Sequence, residues 1–180
     1  MTTWEELRTW RKTTRAELIS RRLALPRSEK QRIDSLVYHL LGQQCLELHR
    51  SCIGFYWPLN GEIDLRPFVR HLLSRGAEAA LPVITVKRKP MHFWVWHPGI
   101  AMKRGIWNIP VPAEPNPAQP AVLLIPTLGF DPTGHRLGQG GGYYDRTLAT
   151  MNPKPLTIGV GYELGRLETI FPQSHDIPLD

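Results

Sequence analysis

The densest chemistry in the chain lies between Gly129 and Arg146, which reads Gly129-Phe-Asp-Pro-Thr-Gly134-His-Arg136-Leu-Gly138-Gln-Gly140-Gly141-Gly142-Tyr143-Tyr144-Asp145-Arg146. Clustered glycines let backbone amides turn toward an anion with no side chain in the way. A helix that follows presents free amides and a positive dipole end to the same anion. Arg136 opens the segment with a planar fork suited to phosphate. Asp145 falls in the first helical turn, where its carboxylate suits a hard cation bound to phosphate. The same position equally serves to offset the helix dipole, worth only about 0.3–1 kcal/mol. Neither common nucleotide motif is present. A P-loop needs Lys and then Ser or Thr after its last glycine, and a dinucleotide fingerprint begun at Gly138 needs glycine at 143. Glycine content alone fits a flexible surface loop just as well, but two tyrosines directly behind three glycines are poor choices for a linker.

The elements around this segment follow from hydrophobic periodicity. Ala121 to Ile125 is an unbroken apolar run, as a buried central strand requires, and it leads into the glycines. Tyr143 to Met151 reads as a helix and Leu156 to Val160 as another buried strand. Upstream, residues 3–23 read as a basic helix. A second helix over 30–49 has Ile33, Val37, Leu40, Leu41 and Leu48 at helical spacing. Ile53 to Trp57 is a short strand ended by Pro58 and the turn-forming Asn60-Gly61. Asp64 can cap a helix that Gly76 stops near Arg75. Ala79–Val86 and Phe93–Trp96 read as strands. Five prolines at 110, 112, 115, 117 and 120 predict a loop over 108–120. Alternating strands and helices imply an α/β fold: a single-domain sandwich spanning 1–180, with a largely parallel central sheet flanked by helices.

Composition narrows the partners. The 180 residues carry a net charge of +6, and 16 of the 22 basic residues are arginine. Arginine binds phosphate and carboxylate in paired hydrogen bonds, so an anionic partner fits: nucleotide, nucleic acid or polycarboxylate. A nucleic-acid-binding module is the competing class, on the strength of this charge and six tryptophans for base stacking. No RRM, KH or zinc spacing supports it. Cys45 and Cys52 show no metal spacing and suit a reducing compartment. No apolar run reaches membrane-spanning length and no export pattern opens the sequence. A cytoplasmic monomer without membrane or nucleic-acid partners is expected.

Arg136-Leu-Gly-x-Gly-x-Gly142-Tyr-Tyr-Asp145-Arg resembles the signature of 5-formyltetrahydrofolate cyclo-ligases, or methenyltetrahydrofolate synthetases. Ile125-Pro126, Gly129-Phe130-Asp131 and Gly134 resemble its lead-in. Four shorter features occur in family order: Arg11-x-x-x-Arg15, Gly61-Glu62-Ile63, Trp107-Asn-Ile-Pro-x-Pro112 and His175-Asp176-x-x-x-Asp180. The resemblance implies an ATP- and magnesium-dependent ligase that converts 5-formyltetrahydrofolate to 5,10-methenyltetrahydrofolate, through a phosphorylated formyl intermediate. It implies ATP contacts from Arg15, Arg136, Gly138, Gly140, Gly141, Gly142 and Tyr144, with Arg11 or Lys12 in place of the family lysine. Folate contacts are implied for Trp57, Glu62, Trp107, Gln139 and Tyr143, and magnesium ligation for Asp145 and Asp176. Arg136, Tyr143 and Tyr144 are implied at the reacting groups. Val111 departs from a family position that is often polar. A relative keeping the fold without the activity fits the same residues.

Arg136 and Arg166 provide a first test, because only Arg136 belongs to the motif. A charge-assisted phosphate contact is worth about 1.5–3 kcal/mol, whereas surface changes stay within about 0.5 kcal/mol. Arg136→Lys should raise KM for ATP or lower turnover, and Arg166→Lys should do neither. Steady-state kinetics with melting temperatures as a folding control check this.

Overall fold

The computed structural model describes residues 3–44 and 51–180. Two helices come first, α1 (Trp4–Ala24) and α2 (Arg27–Gln44). Then follow β1 (Cys52–Gly54), α3 (Arg66–Leu73), β2 (Glu78–Val83), β3 (His92–Val95), β4 (Met102–Arg104), β5 (Pro110–Pro112) and β6 (Pro117–Ala118). The last part holds β7 (Val122–Pro126), β8 (Gly129–Phe130), β9 (Arg136–Leu137), α4 (Tyr143–Leu148) and β10 (Leu156–Val160). Position 45 and the expected helical stretch beyond it, Leu48 included, lie outside the described residues.

Six strands form the central sheet in the order β10-β7-β1-β2-β3-β6. β10, β7, β1 and β2 run parallel, while β3 and β6 add antiparallel pairs at one side. The expected α/β architecture with a largely parallel sheet is therefore present. β7 is buried along Val122–Ile125 and alternates between two cores. Val122 and Leu124 face the cluster built with Phe68, Val69 and Leu72 of α3 and Leu41 of α2. Leu123 and Ile125 face the cluster that includes Leu148 of α4. Helices thus cover both faces, which is why β7 carries no polar side chain. Gly54 of β1 belongs to this packing, since a Cβ there would collide with Leu123 Cδ2.

From β1 the chain moves through α3 to β2, and from β7 it moves through α4 to β10 on the other side. The direction of winding reverses between β1 and β7. Ligands of open α/β sheets gather outside the carboxyl ends of strands at such a switch point. The glycine segment follows β7 and Glu62 follows β1, so both emerge there.

Several element boundaries differ from the sequence reading. The stretch 108–120 is not a plain loop, because it contains β5 and β6. Proline is tolerated in edge strands, where no ladder donor is required, and Pro117 pairs with Trp94 at the outer edge of the sheet. The segment after Gly129 is not all loop, because β8 and β9 form an antiparallel hairpin before the glycines. The helix after the glycines stops at Leu148 rather than Met151. No helix among the described residues is long and apolar enough to cross a membrane.

Leu124 lies in the middle of β7 at 1% exposure. Truncating such a side chain removes its burial and leaves a cavity, at about 2–5 kcal/mol. Leu124→Ala should lower the melting temperature by roughly 2–4 °C for each kcal/mol lost, as read by differential scanning calorimetry.

Candidate active site

Helix α1 forms one wall. Leu7, Arg11, Arg15, Leu18 and Arg22 recur at a spacing that puts them on one helical face. Leu7, Leu18 and Arg22 are buried. Leu18 anchors this face in a cluster with Leu128, Leu137 and Ile170, the residues that flank the β8–β9 hairpin. The arginines on either side of Leu18 are therefore pressed inward rather than solvated, Arg15 toward the glycine segment and Arg22 toward Asn60 and Glu62.

Arg15 reaches the loop directly, its Nε donating to Gly138 O at 2.8 Å. Its guanidinium lies over Gly140, where φ is +93° and a Cβ would sit 3.2 Å from Cζ. Glycine is needed at 140 on both counts. Burial, and then the like charge of Arg11, lower the Arg15 pKa from its ordinary value, against the opposing pull of Asp176. A further anion beside Arg15 would relieve that strain. Arg11 donates to Asp176 Oδ2 at 2.6 Å and to Phe171 O at 3.0 Å. Lys12 is exposed and has no such contact, so Arg11 is the residue that faces the site.

Arg136 begins the loop at β9, as expected, and its side chain is 5% exposed. Two of its donors are committed within the protein: Nη1 to Ile177 O at 2.7 Å and Nη2 to Asp145 Oδ1 at 2.9 Å. Asp145 Oδ1 also accepts the Ile177 N–H at 3.1 Å. Asp145 thus lies against the residue that follows Asp176, so both expected metal carboxylates reach one short segment. Among the described residues no group of three or more His, Cys, Asp or Glu side chains could hold a metal. Magnesium needs only one or two carboxylates when phosphates and waters complete its octahedron. Asp145 and Asp176 fit that limited role, though each is also paired with an arginine.

The aromatic and folate-side candidates gather at the other flank of the loop. Gln139 Nε2 donates to Glu62 Oε1 at 3.2 Å. The backbone N–H of Leu59 donates to Glu62 Oε2 at 3.0 Å. Burial raises the Glu62 pKa against the lowering effect of that N–H, Arg22 and Gln139. Tyr144 lies near enough to Glu62 to feel its charge; burial first, and then Glu62, push its hydroxyl pKa well up. Tyr143 meets Trp107 edge-on with centroids 5.3 Å apart, and its hydroxyl accepts the Arg88 N–H at 3.1 Å. Arg146 lies over the Tyr143 ring at 4.9 Å and donates to Gly141 O. Trp107 holds φ at +55°, an outlier for a bulky residue. Such strain of about 1–3 kcal/mol tends to collect at ligand sites. Trp57 packs against the core cluster, with the Arg66 guanidinium 4.7 Å above its ring.

The roles of three residues, two of them already part of the resemblance, escaped the sequence reading. Arg22 is buried behind Glu62. Asp131 is 4% exposed and holds the hairpin base through Thr133 N–H, Thr133 Oγ1 and the distant Ile170 N–H. Asp180 Oδ2 accepts the N–H and hydroxyl of Thr157 at 2.9 and 2.8 Å, fastening the C-terminal segment to β10. For Arg22 the signal was its place four residues after Leu18 on the α1 face.

Sheet order and the arginine-lined loop define an α/β protein whose site lies at the carboxyl ends of parallel strands. Comparison with known proteins gives the family. Residues 7–180 match the model of the 5-formyltetrahydrofolate cyclo-ligase family, and the chain belongs to that family. It is 31% identical over 136 residues to 5-formyltetrahydrofolate cyclo-ligase of Haemophilus influenzae, covering 71% of this chain and 72% of the relative. The mouse cyclo-ligase is 26% identical over 184 residues, covering 92% of this chain and 89% of the relative. The NMR structure of Aquifex aeolicus 5,10-methenyltetrahydrofolate synthetase superposes with a TM-score of 0.81 at 27% identity. That match covers 94% of this chain and 87% of the other.

Asp131 gives the stability of the fold a pH dependence. Burial raises its pKa, but the hydrogen bonds of Thr133, Ile170 and His135 outweigh this and hold it below the ordinary value. A depressed carboxyl stabilises the fold above its unfolded pKa of about 3.9. That contribution is lost as pH falls through the lower folded value. Asp131→Asn should therefore destabilise the protein by about 1–3 kcal/mol at neutral pH, and by progressively less in strong acid. Urea denaturation at neutral and acid pH measures the difference.

Proposed function

We propose that this chain uses ATP to close 5-formyltetrahydrofolate into 5,10-methenyltetrahydrofolate, releasing ADP and phosphate. One observation carries the reading: a single short loop has Arg15 over its glycines and Gln139 joined to Glu62 at its other flank. An anion site and a hydrogen-bond acceptor for a heterocycle therefore lie side by side. The names of the relatives supply the substrate class.

The formyl group on nitrogen 5 is amide-like, and its oxygen is a poor leaving group. Transfer of the terminal phosphoryl group to that oxygen makes it a good one. Nitrogen 10 then attacks the formyl carbon, closes the five-membered ring and expels phosphate. The protein's task is alignment and charge neutralisation. Arg15 contributes the guanidinium nitrogens beyond its Gly138 bond, and Arg136 its remaining donors. Glu62 accepts hydrogen bonds from N–H groups of the pterin edge, and Gln139 fixes the distance between Glu62 and the loop. Tyr143 and Trp107 offer ring faces and edges to the folate, and Tyr144 lines the reacting groups beside Glu62. Magnesium, when bound, neutralises phosphate charge, and Asp145 and Asp176 would hold it.

Mixing the protein with ATP, magnesium and 5-formyltetrahydrofolate should give the rising absorbance of the methenyl product; a flat trace with authentic substrate refutes the reading. Asp145→Asn should lower turnover roughly 100-fold, the scale of misplaced reactants, while the protein still melts cooperatively.

A further inference from the structure

The mechanism uses Glu62 but gives no role to the cation behind it. Arg22 is 2% exposed, among the largest fully buried side chains of the molecule. Its Nε donates to Asn60 O at 3.0 Å. Its Nη2 is sealed from solvent, has no hydrogen-bond partner among the described residues and lies 3.9 Å from Glu62 Oε1. Leaving a buried charged donor without a hydrogen bond is destabilising, so the charge itself is the feature to explain. Because Nη2 is sealed, its charge acts through the groups packed around it, and Glu62 is the carboxylate paired with it.

We propose that Arg22 is a positioning residue for the folate: its charge, delivered from α1, holds Glu62 as an aimed carboxylate for the N–H donors of the ring. This inference rests on the reading of Glu62 as the pterin acceptor.

The surroundings of Glu62 support it. Gln139 and the Leu59 N–H donate to it without carrying charge. Tyr56, Tyr144 and Tyr162 approach from the chain just after β1, from α4 and from just after β10, and each has its pKa raised by burial before any charge effect. Lys30 of α2 is a further cation beside Gly61; its Nζ would lie 3.7 Å from a Cβ there, but it donates to Leu23 O. Arg22 is thus the cation that opposes the burial of Glu62. Removing that charge lets Glu62 take up a proton at higher pH, and a protonated acid loses its acceptor role toward ring N–H groups.

The test is the pH profile of KM for 5-formyltetrahydrofolate in wild type, Arg22→Met, Arg22→Gln, Arg22→Lys and Glu62→Gln. Arg22→Gln keeps a donor for Asn60 O but no charge. The neutral variants should move the acid limb of the KM profile upward by about 1–3 pH units, the range for loss of an opposite charge at this separation. The effect should fall on KM rather than kcat, and Arg22→Lys should restore part of it. In the Glu62→Gln background the limb should be absent, and Arg22→Gln should add nothing to it. Neutral variants that track the wild-type limb, or that shift it equally without Glu62, overturn the inference. Should both neutral variants unfold, infrared difference spectra of wild type against Glu62→Gln decide: an ionised Glu62 at neutral pH supports the proposal, and a protonated one overturns it. A wild-type enzyme that forms product while the limb stays fixed refutes only the role of Arg22; one inert toward the folate refutes the function itself.

Discussion

Three elements of the chain meet at the guanidinium of Arg136. It projects from β9, grips Asp145 in α4 and holds the carbonyl of Ile177 in the C-terminal segment. A charge this buried is tolerated only where ionic and polar partners surround it. The consequence is local order where the sequence suggests slack. Residues 138–142 include four glycines, yet they hang between Arg136 and Asp145, which are bonded to each other. The loop closes on its own base, and its backbone has far fewer shapes available than a free glycine linker. Everything the site needs from the loop depends on that closure.

Helix α1 then covers the closed loop from outside. Its adhesion to the body is apolar, through Leu18 against Leu128, Leu137 and Ile170, while its specificity is ionic. Arg11 binds Asp176, Arg15 binds the Gly138 carbonyl and Arg22 stands behind Glu62. One helical face therefore serves the C-terminal segment, the glycine loop and the acceptor carboxylate in succession. Glu62 and Gln139, from opposite sides of the switch point between β1 and β7, complete the ring of contacts.

How much of this was legible depended on whether the controlling force was local. β7 was readable because a strand buried on both faces must be apolar throughout. The glycine-to-helix transition was readable because backbone conformation demands particular residue types there. The edge strands β5 and β6 were not, since proline suppresses the strand signal even where an edge tolerates it. Apart from the resemblance, the α1 arginines showed only as a basic helix, because arginine is seldom buried without partners and those partners lie 38 to 165 positions away. The roles of Asp131 and Asp180 were hidden for the same reason. Each carboxylate bonds a backbone N–H far away in sequence, Ile170 and Thr157 respectively, and no local pattern marks such a bond. The assignments to ATP and magnesium came from the motif as a whole, and no single residue's spacing would have yielded them.

The bond between Arg11 and Asp176 joins positions 165 residues apart. During synthesis at about 5–20 residues per second, α1 emerges on the order of ten to thirty seconds before the segment it must grip. Arg22 and Arg15 gain their partners earlier, at Asn60 and Gly138, while Arg11 waits for nearly the whole interval on a helix that can already form behind its Thr3–Glu6 capping box. A half-walled site thus emerges first, and the segment around Asp176 closes its remaining wall.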